Sequence, residues 1–114
     1  MNQLAQDLRA AMAPPIGTLT DRVQLQRRED GDGGTTVFVP LATIWARVRS
    51  FSSWEKVDPS HSVVIRFRSD VRPGDRFVYR GRLLEVVDPT DLNGRRVYLN
   101  CTCRAIASAE ASHV

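Results

Sequence analysis

The chain has 114 residues, 42% hydrophobic and 25% charged, which fits one globular domain and argues against wholesale disorder. No apolar run approaches the ~20 residues of a membrane span, and no signal-peptide core opens the chain, so a protein assembled in the cytosol is expected. The net charge of +3 is unevenly spread: residues 1–62 balance, whereas residues 63–104 hold nine arginines against five acids. Lys56 is the only lysine, and arginine suits planar, bidentate contacts to carboxylate or phosphate.

Residues 2–13 place Leu4, Leu8, Ala11 and Met12 at helical spacing, with Asn2 as a possible cap and Pro14-Pro15 as the stop. This predicts an amphipathic helix of about three turns, marginal alone and in need of a surface on its own domain or on a partner. After Gly17 the period changes to two. Val23 and Leu25 alternate with Arg22, Gln24 and Gln26, a half-buried strand, and a glycine-rich turn follows. Residues 37–49 read as a second extended segment, broken near Pro40, with Ile44, Ala46 and Val48 on one face and Trp45, Arg47 and Arg49 on the other.

Residues 49–62 then lose all periodicity while carrying Phe51, Trp54 and Pro59, and they read as a long loop of the kind that is usually functional. Strand alternation returns with Val63, Ile65 and Phe67 inward and Arg66 and Arg68 outward. A hairpin follows, in which Phe77 and Tyr79 lead into Arg80-Gly81 and Leu84 and Val86 lead out. The last strand sets Val97, Leu99, Cys101 and Cys103 on one face. The expected fold is all-β: a small antiparallel β-barrel of about six or seven strands with a short N-terminal α-helix and one long inter-strand loop. The whole chain is one domain, with the helix at 2–13, the barrel at 18–106 and a flexible tail at 107–114.

Cys101 and Cys103 lie two apart on one strand face, a poor disulfide arrangement, and with His61 and His113 they fall short of a zinc set. Buried reduced thiols are expected, and neither metal nor cofactor. No Ser/His/Asp set is recognisable, and Asp75, although a carboxylate pair with Glu85 is conceivable, follows Pro73-Gly74 as a turn former; no enzyme is expected. The outward arginines Arg66, Arg68, Arg76, Arg80, Arg82, Arg95 and Arg96 could instead follow a phosphate backbone. Of the aromatics in these later strands, only Tyr98 falls opposite its strand's apolar face, which weakens single-strand recognition.

The stretches I-G-T-L-T-D-R-V-Q-L-Q-R at 16–27, I-W-A-R-V-R at 44–49, H-S-V-V-I-R-F-R at 61–68, P-G-D-R-F-V-Y-R-G-R-L-L-E-V at 73–86 and N-G-R-R-V-Y-L-N-C at 93–101 carry a resemblance. In order and spacing they resemble the head–tail joining family of tailed bacteriophages and gene-transfer agents, the head-closure or stopper proteins. The resemblance implies a ring of six or twelve copies in the particle, below the portal or adaptor ring and above a tail-side ring. That ring would retain packaged double-stranded DNA without sequence preference. It also implies that the long loop, with Arg49, Phe51, Trp54, Glu55, Lys56, Asp58 and His61, points into the channel as a plug. Arg66, Arg68, Arg76, Arg80 and Arg82 would then line ring contacts or the DNA channel. The alternative left by the residues alone is a small basic barrel that binds nucleic acid directly.

Overall fold

The computed structural model describes residues 19–51 and 60–106. Six strands run in chain order: β1 (Asp21–Asp30), β2 (Thr36–Ser50), β3 (His61–Arg66), β4 (Arg76–Tyr79), β5 (Arg82–Asp91) and β6 (Tyr98–Ile106). All neighbours are antiparallel, and the order β1-β2-β3-β6-β5-β4 returns to β1, so the sheet closes into a barrel. Closure removes the free edges that an open sheet of this size would present. The strand count settles at six, and the expected helix at 2–13 lies outside the described residues.

The core follows from period-two alternation. Val23 and Leu25, Ala46, Val63 and Ile65, Phe77, Leu84 and Val86, and Leu99, Cys101 and Cys103 all point inward and pack as one cluster, with Val71 from the β3–β4 connection. Each large aliphatic side chain so buried contributes roughly 1.5–3 kcal/mol. A smaller cluster of Leu19, Val64 and Leu92, with Tyr98 packed against it, sits apart from the main core.

Two irregularities shape the barrel. In β1–β2 the register steps from Leu25↔Ala42 to Gln26↔Pro40, leaving Leu41 as an extra residue. Pro40 therefore does not break β2, as its residue type suggested. It lies at a bulge, in a stretch where β2 pairs only with β1, so its missing N–H interrupts no second ladder. In β5–β6 the step from Val86↔Cys103 to Asp88↔Thr102 leaves Val87 extra. There the 72–75 turn joins the sheet: Gly74 N donates to Val86 O at 2.9 Å, and Val86 N donates to Asp75 O at 2.8 Å.

The β4–β5 hairpin turns on two residues, with Tyr79 opposite Arg82. Arg80 and Gly81 both have positive φ, +50° and +76°, as the tight mirror-image turn requires. Val97 corrects the sequence reading. It precedes β6, in a turn where Arg96 has φ +57°, and it is 49% exposed rather than inward.

The cysteines are free and fully buried. Burial, more than nearby charge, pushes both thiols up, Cys103 to about 12 and Cys101 further. Native protein should therefore not react with a thiol reagent at neutral pH, and both thiols should react once the barrel is unfolded in denaturant. Labelling of either cysteine at the rate of an exposed thiol would contradict this packing.

Candidate functional site

The anticipated loop is anchored by a short hydrogen-bond frame. Phe51 N donates to Ser60 O at 2.9 Å, and Ser60 N donates to Cys103 O at 2.9 Å, so β2 and β3 stay together beyond their last register pair and are tied to β6. The Ser60 hydroxyl accepts from Ala105 N at 3.3 Å and lies 2.8 Å from His61 Nδ1. Ser60 was not singled out in the sequence, because a serine beside a loop carries no pattern of its own. At this root Arg49 is exposed opposite Ser62, and Phe51 is 43% exposed. Trp54, Glu55, Lys56 and Asp58 lie outside the described residues.

His61 opens β3 at the same root. Burial, and then the guanidinium of Arg82, hold its pKa below the ordinary 6.5. The folded state thus resists protonation more than the unfolded chain. The stability His61 contributes is complete above about pH 6.5 and falls as pH drops through that value toward the lower folded midpoint. Arg82→Ala should move the His61 midpoint up toward 6.5 in an NMR titration of the ring protons. An unchanged midpoint would remove Arg82 from the account.

The outward arginines do not form one face. Arg80 and Arg82 sit at the β4–β5 hairpin tip, Arg80 with its guanidinium 5.2 Å from the Tyr79 ring centroid. Arg76 is stacked 3.7 Å over the Phe38 ring, with its Nε donating to Gln26 Oε1 at 2.6 Å, and burial lowers its pKa. Arg68 donates twice to Asp70, at 2.9 Å each, and this pairing holds the Asp70 carboxyl below its usual range. Arg66, with Arg22, flanks the ring of Trp45, which is 51% exposed. Arg95 and Arg96 follow the short turn Leu92–Gly94, where Arg96 N donates to the Asp91 carboxylate at 3.1 and 3.2 Å.

Asp75, expected to be an ordinary turn residue, is the one charged side chain buried among the described residues, at 1% exposure. It accepts from Arg27 Nε at 3.1 and 3.3 Å, from Arg28 N at 3.2 Å and from Arg72 N at 2.9 Å. Arg27 Nη2 also donates to the Asp70 carbonyl. The cluster fastens β1 to the β3–β4 connection, a tie between residues 48 apart that no local motif announces. Glu85 is instead 3.9 Å from Arg104, so the two carboxylates do not face one another as a catalytic pair. Among the described residues no group of three or more His, Cys, Asp or Glu is placed to hold a metal ion.

The barrel is closed and six-stranded, Asp70, Asp75 and Glu85 each lie against an arginine, and the arginines predicted from sequence are spread over several parts of its wall. The model of the phage head completion protein family matches residues 14–106, and the chain belongs to that family. It is a virion structural protein and not an enzyme, as the resemblance in the sequence implied. No curated protein matches the chain significantly. Solved structures share the fold, among them two that cover most of this chain. One is the solution structure of a Shigella flexneri 2a protein (TM-score 0.64, 24% identity, 82% of this chain and 98% of that one). The other is a chain from the virion of a native gene transfer agent particle (TM-score 0.62, 21% identity, 82% and 98%).

Proposed function

We propose that this head completion protein forms a ring at the head–tail interface, closes the DNA exit channel with the segment between Phe51 and Ser60, and offers a surface to the tail. The observation that carries this reading is the frame at the loop root. The Phe51–Ser60 and Ser60–Cys103 bonds join both ends of the segment 52–59 to the barrel wall, so its base is fixed. A plug needs such a base, because every symmetry-related copy must present its loop identically.

The second support is Arg80. A side-chain-bearing residue at φ +50° costs roughly 1 kcal/mol relative to glycine, and a turn optimised for folding alone would carry asparagine or glycine there. An arginine kept at that cost, two residues from Arg82 and at a hairpin tip, suits a contact with DNA or with a neighbouring subunit. Arg49 at the loop root, and Arg82 from the hairpin tip through its field at His61, add positive charge near the same segment. The test is to replace residues 52–59 with two glycines. The shortened protein should still bind DNA-filled heads that lack it, and those heads should still release their DNA to nuclease. Retention of DNA by the shortened protein would sink the plug assignment.

A further inference from the structure

The outer wall of the barrel carries a row that the core does not need. Cross-strand register places Arg22 opposite Trp45 and Arg66 opposite Tyr98, and the Ala46↔Ile65 pairing brings the two halves side by side. The Arg22 guanidinium lies 4.4 Å from the Trp45 ring centroid. Hollows of about 300 and 350 Å³ flank the Trp45 ring, the first lined by Leu19, Thr20 and Arg66, the second by Ile44 and three arginines. A half-exposed tryptophan between two hollows, stacked on by Arg22, still presents a large apolar surface to what lies beyond the described residues. Two residues further along the same face of β2, Arg47 Nε is buried with no hydrogen-bond partner among the described residues, although buried polar atoms normally have one.

We propose that residues 2–13 of the same chain form a helix that seats on this wall, over Trp45. Chain connectivity supports it, because residue 18 leads directly into Leu19, which lines the first hollow and is buried against Val64 and Leu92. Residues 14–18 span at most about 17 Å, and a helix of twelve residues is about 18 Å long, so the stripe of Leu4, Leu8, Ala11 and Met12 reaches the tryptophan without strain. Charge agrees. The C-terminal end of a helix carries partial negative charge and up to four unpaired carbonyls, and it is the end nearest Leu19. Arg66 supplies the opposite charge, and Arg47 Nε supplies a donor that lacks an acceptor. Asp7 borders the apolar stripe and faces the same basic surroundings.

The experiment uses the full chain with Trp54→Phe, which leaves Trp45 as the only tryptophan. Acrylamide quenching of Trp45 is compared with and without the pair Leu4→Glu and Leu8→Glu, which lie outside the barrel. A seated helix predicts a blue-shifted emission and a quenching constant that rises roughly twofold in the Glu variant, as for a ring going from covered to half-exposed. Trp45→Ala should correspondingly abolish hydrogen-exchange protection of residues 4–12 in the wild-type background. Equal quenching with and without the Glu pair, at unchanged barrel melting temperature, overturns the proposal. Protection that grows with protein concentration also overturns it, by assigning the wall to the helix of a second copy.

Discussion

Replacing Asp75 with alanine should lower the stability of the barrel by about 3–5 kcal/mol, the cost of leaving the partly buried Arg27 guanidinium without its counter-charge and two backbone amides without their acceptor. The carboxylate is 1% exposed and receives the Arg27 guanidinium and the amides of Arg28 and Arg72. Without it, three donors lose their acceptor at once, and of this cluster only the bond from Arg27 Nη2 to the Asp70 carbonyl still ties β1 to the 70–75 connection. Arg27→Ala leaves the buried Asp75 carboxylate without its cation but still bonded to both amides, and it should therefore cost less than a change that leaves three donors without an acceptor. Urea unfolding followed by far-ultraviolet circular dichroism gives both values. An Arg27→Ala loss equal to or larger than that of Asp75→Ala would show that the guanidinium, and not the amide pair, carries the cluster. With total stabilities of small domains near 5–15 kcal/mol, the alanine variant at position 75 should be close to unfolding at physiological temperature.

The second large effect is expected at Phe77, the largest of the fully buried side chains. It stands on the shortest strand. β4 has four residues, pairs with β1 over three positions and with β5 over four, and is the strand through which the sheet closes. Phe77→Ala should cost about 3–5 kcal/mol, from lost burial plus the cavity left among Leu25, Leu84 and their neighbours. The loss should be visible first at the seam. Hydrogen exchange of the β4 amides and of Gln24 and Gln26 should accelerate before that of β3 and β6. Phe77→Leu should cost less, because it keeps most of the volume. Uniform acceleration across all six strands would mean that the barrel opens as a unit and not at its seam.

How much of this was legible follows from the range of the interactions. Strand alternation is a nearest-neighbour signal, so Val63 and Ile65 were placed inward from sequence, Val23 was grouped with Leu25 on one face, Leu99 with Cys101 and Cys103 on another, and all of them lie in the core. The Arg80-Gly81 turn was equally legible, since its demand for positive φ is local. Pro40 misled because the signal for a strand break and the signal for a bulge on a singly paired stretch are the same residue. Val97 misled because the alternation that ends in Cys103 extrapolates one pair too far, past the positive φ of Arg96. Asp75 was read as a turn former and is one; what the sequence could not display is that Arg27, 48 residues away, would meet it in the interior. The arginine excess in the second half was real, but composition has no geometry. Arg68 and Arg76 are held by Asp70, Phe38 and Gln26, which leaves Arg66, Arg80 and Arg82 as the more available positive charges of the predicted set.

The proposed ring would hold DNA in the head. The most direct measurement takes DNA-filled heads made without the protein, adds the purified protein back, and follows nuclease-sensitive DNA over time at two salt concentrations. If the proposed ring closes the channel, release stops on addition and stays stopped as salt rises, as expected of a ring held by apolar and shape contacts. Direct phosphate binding would instead weaken steeply with salt. Continued release from heads that have bound the protein would contradict closure and leave it a connector, whereas binding to free DNA with no attachment to heads would return the basic barrel as the better reading.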